Sequence, residues 1–212
     1  MFAKETYINR RKQLMKDVKS GVILILGNGD SPFNYPANTY TFRQDSTFRY
    51  FFAYALQNLV GVIDVDAGKE YLFGEEVDMD DIIWTGPVPS LRERAEEIGV
   101  EEVGTITDLR AFIDKAVFAG RKVHFTPPYR AENVNFIADL LHIERDYVKA
   151  YVSVELINAC VKQRSIKSEE EIIEIEKAVD NAYLMHTTMM KMAAKEGTYE
   201  YEIAGAMEGI AL

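Results

Sequence analysis

Val22-Ile23-Leu24-Ile25-Leu26 is an unbroken apolar run with a glycine on either side, Gly21 and Gly27. Successive side chains of a strand point to opposite faces, so such a run has no face suited to water. It belongs in a strand buried on both sides, at the centre of a sheet covered by helices. The flanking sequence supplies that cover. Residues 5–19 set Tyr7, Ile8, Leu14, Met15 and Val18 among charges, an amphipathic helix that Gly21 ends. Val60–Val65 and Glu70–Phe73 flank Asp66-Ala67-Gly68-Lys69 and read as a hairpin. The aromatic stretch Thr47–Tyr54 reads as a further strand, and Lys122–Phe125 as a short one. Ser90 with Glu93 forms a capping box for a helix reaching Ile98, and helices are expected over 108–118 and, after Pro127-Pro128, over 130–141. Hairpins demand antiparallel neighbours and helical crossovers favour parallel ones. The fold class is therefore α/β, with a mixed β-sheet flanked by helices.

Beyond about residue 150 the pattern is helical only. Ser168 and Glu171 form another capping box, and Ile172, Ile175, Val179, Ala182, His186, Met189 and Ala193 recur at spacings of three and four. Gly197 stops that helix, and Thr198 is the expected cap of the next. The expected division is an α/β domain over residues 1–160 and the opening helices of a second domain over 161–212. An apolar stripe with no sheet to cover it seeks a partner, either the α/β domain or a second copy.

The formal net charge is −10, with no basic run longer than Arg10-Arg11-Lys12. Nucleic-acid binders carry the opposite sign, so nucleic acid is not an expected partner. Cys160 is the sole cysteine, which excludes an intrachain disulfide and a cysteine-rich zinc cage. The start, Met1-Phe2-Ala3-Lys4-Glu5, lacks an apolar signal core and no stretch has the length of a membrane span, leaving the cytoplasm as the default compartment. Nucleophile elbows, Walker loops, H-E-x-x-H and C-x-x-C motifs are absent. Gly27-Asn28-Gly29 follows a strand, but Asp30-Ser31-Pro32 comes next, where a phosphate loop needs glycine or lysine; a plain loop is the better reading. Asp78, Asp80 and Asp81 lack the alternation of a calcium loop and read as a solvated turn. Asp108 and Asp114 are spaced as helix-surface residues. His186, on the apolar stripe, reads as a packed core histidine, while His124 and His142 close a strand and a helix. Trp84 has two readings: half-buried at a strand end, or an aromatic lip on a ligand site.

Three segments in order resemble one family. Phe42-Arg43-Gln44-Asp45-Ser46-Thr47-Phe48-Arg49-Tyr50-Phe51 resembles the F-R-Q-D-S-D-F-x-Y-L segment of Xaa-Pro aminopeptidases, and Ile83-Trp84-Thr85-Gly86 resembles their I-W-x-G segment. Arg164–Ile172, with Ala178, His186 and Gly197-Thr198-Tyr199-Glu200, resembles the first helices of their catalytic domain. The resemblance implies a creatinase-like N-terminal domain followed by the start of a pita-bread metallopeptidase domain. It implies an enzyme that removes the residue preceding proline from peptides, with two manganese ions held by ligands that match no position here. It further implies a homo-oligomer, dimer or tetramer, in which Trp84 reaches a neighbouring subunit's active-site entrance, with Arg43, Gln44 and Asp45 as family-motif candidates. The chain alone is expected to be inactive. Thr47 stands in place of the family's aspartate, Phe52-Ala53 in place of Thr-Gly, and Pro87-Val88-Pro89 where many members carry arginine. The alternative is a non-catalytic peptide- or protein-binding module, as in pita-bread proteins without metal ligands.

Overall fold

The apolar run forms strand β1 (Val22–Leu26), and its two faces are buried in two different layers. Ile23 and Ile25 join one apolar cluster; Val22 and Leu24 join the other. The computed structural model describes residues 1–76, 82–84 and 86–212. Helix α1 (Lys4–Val18) leads into β1, and a short hairpin of β2 (Pro32–Tyr35) and β3 (Asn38–Thr39) follows. Then come α2 (Ser46–Phe52), β4 (Val60–Asp64), β5 (Lys69–Phe73), α3 (Leu91–Glu97) and β6 (Glu102–Gly104). After these lie α4 (Ile106–Phe118), β7 (Val123–His124), α5 (Ala131–Leu141), a 3-10 helix (Arg145–Tyr151) and α6 (Val154–Ser165).

Among the described residues the main sheet has the order β6-β5-β4-β1-β7. It is mixed, as expected: β1–β4 and β4–β5 are antiparallel, β1–β7 and β5–β6 parallel. One layer brings Tyr7, Leu14 and Val18 of α1, the phenylalanines of α2, Leu91 and Ala95 of α3, and Leu156, Ala159 and Cys160 of α6 onto the sheet. The other brings Leu109, Ile113 and Ala116 of α4, then Ile137, Ala138 and Leu140 of α5, with Val148 of the 3-10 helix. Each fully buried aliphatic or aromatic side chain of this kind contributes about 1.5–3 kcal/mol of burial free energy.

The chain divides into two compact units, Met1–Gln163 and Arg164–Leu212. In the second unit, α7 (Glu169–Ala193) opens with the capping box of Ser168 and Glu171, and packs on α8 (Glu200–Ala211). No residue of either helix is buried.

Several expectations need correction. Thr47–Tyr54 is not a strand: Asp45 accepts the backbone N–H groups of Thr47 and Phe48 and starts helix α2. Phe48, Phe51 and Phe52 then fall at helical spacing on its buried face, so capping and the 3.6-residue period override the β preference of aromatics. Trp84 is not at a strand end; residues 82–84 are helical, closed by Gly86 N–H donating to the Ile82 carbonyl at 2.8 Å. His186 is exposed rather than packed in a core. Tyr199, not Thr198, occupies the cap position of α8, and Glu202 accepts its backbone N–H at 2.8 Å. Asp108 is more than a surface residue, since it completes a capping box with Thr105 that starts α4 two residues early. The 3-10 helix and the β2–β3 hairpin carry no clear periodic signal in sequence. Asp78, Asp80 and Asp81 lie outside the described residues.

Candidate functional site

The loop after β1 and the segment before α2 meet through buried amides. Asn28 is 1 % exposed and Gln44 is 7 % exposed, so each polar atom needs a partner. The Gln44 Oε1 accepts the backbone N–H of Asn28 at 2.6 Å and of Asp45 at 2.7 Å, while its Nε2 donates to the Leu56 carbonyl at 2.6 Å. Asn28 Nδ2 donates to the Arg43 carbonyl and to the Tyr129 hydroxyl, both at 2.9 Å. Arg130 Nη1 donates to the Gly29 carbonyl at 2.7 Å. Four stretches distant in sequence are thereby joined at one place. The N–H groups of Gly27 and Asn28 are already engaged, by the Leu59 carbonyl and by Gln44, so this loop offers no cradle of free amides to a phosphate.

The motif candidates thus part company. Gln44 and Asp45 spend their side-chain hydrogen bonds on the chain itself, one joining loops and the other capping α2. The Arg43 side chain is exposed. Trp84 is 87 % exposed, with Ile83 beside it at 72 %. Among the described residues no hydrogen bond or ring contact joins Trp84 to Arg43, Gln44 or Asp45. An indole presented to water at that level forfeits its burial free energy.

The histidines do not converge. His124 is buried, its Nδ1 2.6 Å from the Ser153 hydroxyl and its Nε2 3.1 Å from the Ser20 carbonyl. His142 ends α5 in a left-handed conformation and meets Asp114 at 2.8 Å. Among the described residues no three His, Cys, Asp or Glu side chains gather as a metal cluster. No described helix is long and apolar enough to cross a membrane.

Residues 7–124 match the family described as aminopeptidase P, N-terminal domain. The chain belongs to that family. Human Xaa-Pro dipeptidase is 25% identical over 194 residues, which is 90% of this chain and 38% of that protein. A probable Xaa-Pro aminopeptidase of Aspergillus terreus is 30% identical over 171 residues, 79% of this chain and 34% of that protein. Among solved structures, an alanine variant of Escherichia coli aminopeptidase P superposes with a TM-score of 0.80 at 20% identity, covering 99% of this chain and 49% of that one. A zinc-substituted form of the same enzyme, in complex with product, is similar at a TM-score of 0.79. The chain therefore has the aminopeptidase P fold over nearly its whole length, while spanning about half or less of the proteins it resembles.

Sequence reasoning missed Asn28, Tyr129 and Arg130 as partners of the aminopeptidase P motif segment. Asn28 carried one legible signal, a buried-strand exit flanked by Gly27 and Gly29, where close backbone approach is expected.

Proposed function

We propose that these residues serve as the N-terminal accessory domain of a metal-dependent Xaa-Pro aminopeptidase, an enzyme that removes the residue preceding proline from peptides. Membership of the aminopeptidase P N-terminal domain family over residues 7–124 carries this reading. The Xaa-Pro peptidase names of relatives matched over as much as 94% of the chain support it. Residues 161–212 are then the opening helices of the metallopeptidase domain. Two manganese ions are the proposed cofactor of the whole enzyme. The role proposed for the described residues is assembly and access to the active site. In a homo-oligomer the exposed Trp84 would line the active-site entrance of a neighbouring subunit; of the three motif candidates, Arg43 has the exposed side chain.

The test is kinetic. In the protein joined to its metallopeptidase domain, Trp84→Ala is expected to lower kcat/KM for an Xaa-Pro tripeptide roughly five- to tenfold, the loss of one aromatic contact, with the oligomer unchanged by light scattering. Unchanged kinetics would remove the entrance role. The 212-residue chain alone, given manganese, is expected to release no amino acid from the same peptide. Manganese-dependent release would overturn the accessory reading. If the joined protein is inactive as well, the chain serves instead as a non-catalytic peptide-binding module.

A further inference from the structure

Strands β1, β5, β6 and β7 all point one way: β4 is antiparallel to both β1 and β5, while β7 is parallel to β1 and β6 to β5. Their carboxyl ends share one edge of the sheet. The chain leaves that edge for helices on opposite faces, α2 and α3 in one layer, α4 and α5 in the other. Open α/β sheets form ligand crevices at such places, because the diverging loops leave a gap between them.

Here the gap is a cavity of about 350 Å³. Its walls include Leu26 at the end of β1, Val60 at the start of β4, Ile106 opening α4 and Phe136 of α5. Its two charged lining residues, Glu75 beyond β5 and Glu132 in the first turn of α5, are both acidic and both exposed. Glu132 has a distant ion pair with Arg130 at 3.4 Å; Glu75 makes no ion pair among the described residues. The lining sets apolar Leu26, Leu59, Val60, Ile106 and Phe136 beside the amides of Asn58 and Asn133 and the two carboxylates, with no lysine or arginine, which suits a ligand with an apolar body and a positive, hydrogen-bonding end. The buried scaffold behind it, Asn28 held by Gln44, fixes the loop that forms one wall.

We propose that this cavity binds a small molecule with an apolar body and a protonated amine, either a free organic amine or the N-terminal residue of a short peptide. The apolar part lies against Leu26, Ile106 and Phe136, and the ammonium group pairs with Glu75 and Glu132. This inference does not depend on the peptidase reading, since it concerns a space built wholly within residues 26–136.

The experiment is an amide NMR titration of the 212-residue chain with three probes: phenethylamine, a leucyl-glycine dipeptide, and phenylpropionate as the charge-reversed control. Saturable shifts confined to residues around Gly27, Val60, Ile106 and Phe136 are expected with an amine and not with phenylpropionate. Response to phenethylamine alone assigns a free amine; response to the dipeptide as well assigns a peptide N-terminus. Glu75→Gln combined with Glu132→Gln touches only exposed side chains and is expected to keep the spectrum elsewhere while weakening amine binding about tenfold, the scale of one charge-assisted hydrogen bond. Absence of saturable shifts, an equal response to phenylpropionate, or undiminished binding by the double variant would each overturn the proposal.

Discussion

Arg11 is wholly buried, and each of its three guanidinium nitrogens donates a hydrogen bond. It donates to Glu70 Oε2 at 2.7 Å, to the Phe51 carbonyl at 2.9 Å and to the Ile98 carbonyl at 2.7 Å. One side chain thus ties α1 to β5, α2 and the end of α3. Burial pushes the Glu70 carboxyl up, against the pull of Arg11, so the pair survives by geometry and not by solvation. Arg11→Met leaves the Glu70 charge and two buried carbonyls without a donor, and is expected to cost about 3–5 kcal/mol in urea denaturation. A cost under about 1 kcal/mol would show that water replaces the guanidinium. Sequence held a signal for this: Tyr7, Arg11, Leu14 and Val18 lie on one helical stripe, at spacings of four, three and four. A charge on the apolar stripe is a charge with a partner. His124 offers the second test at this scale. Burial holds its pKa below the ordinary 6.5, with Lys122 adding to the effect and Ser20, Glu155 and Asp66 opposing it. The unfolded chain then binds more protons than the folded one, so stability is complete above about pH 6.5 and declines as pH falls below it. Thermal melts between pH 5 and 8 are expected to show that decline, and His124→Asn to flatten it; an identical profile for the variant would assign the decline to other groups.

Helix α2 shows how an element is decided against its own composition. Its aromatics favour strands, yet Asp45 accepts two N–H groups and sets the first turn. Gly61 on β4 then lets the Phe52 ring lie against the strand, where an added Cβ would stand 2.1 Å from the ring. Asp45→Ala removes both acceptors and is expected to lower stability by about 1–2 kcal/mol, measured as a shift in the urea midpoint at constant slope. No shift would mean that the phenylalanines alone hold the helix. Capping also explains which helices were legible. The boxes at Ser90–Glu93 and Ser168–Glu171 were read from spacing, whereas Thr105–Asp108 escaped because aspartate replaces the usual glutamate at the third position.

At the scale of the whole molecule the two units differ in how they are held. Strands β1 and β4 are buried nearly throughout; α7 and α8 contain no buried residue. Amide exchange tracks local opening, so α7 and α8 are expected to exchange much faster than β1 and β4. Equal protection in the isolated chain would mean that the exposed stripe of Ile172, Ile175 and Val179 is covered in solution, by a second copy if protection rises with protein concentration.

The amino-acid sequence determined the central strand, the hairpin, the capped helices and the α/β class, because glycine boundaries, apolar period and capping pairs act within a few residues of one another. The motif segments in their order also pointed to the aminopeptidase P N-terminal domain family. Only tertiary structure decided that Gln44 is a buried scaffold residue beside an exposed Arg43, that Asn28 and Tyr129 meet across 101 positions, and that Trp84 stands in water. Those outcomes depend on which distant groups compete for each hydrogen bond and each patch of surface. That competition is settled when the sheet and its two helical layers close, and local sequence carries no term for it.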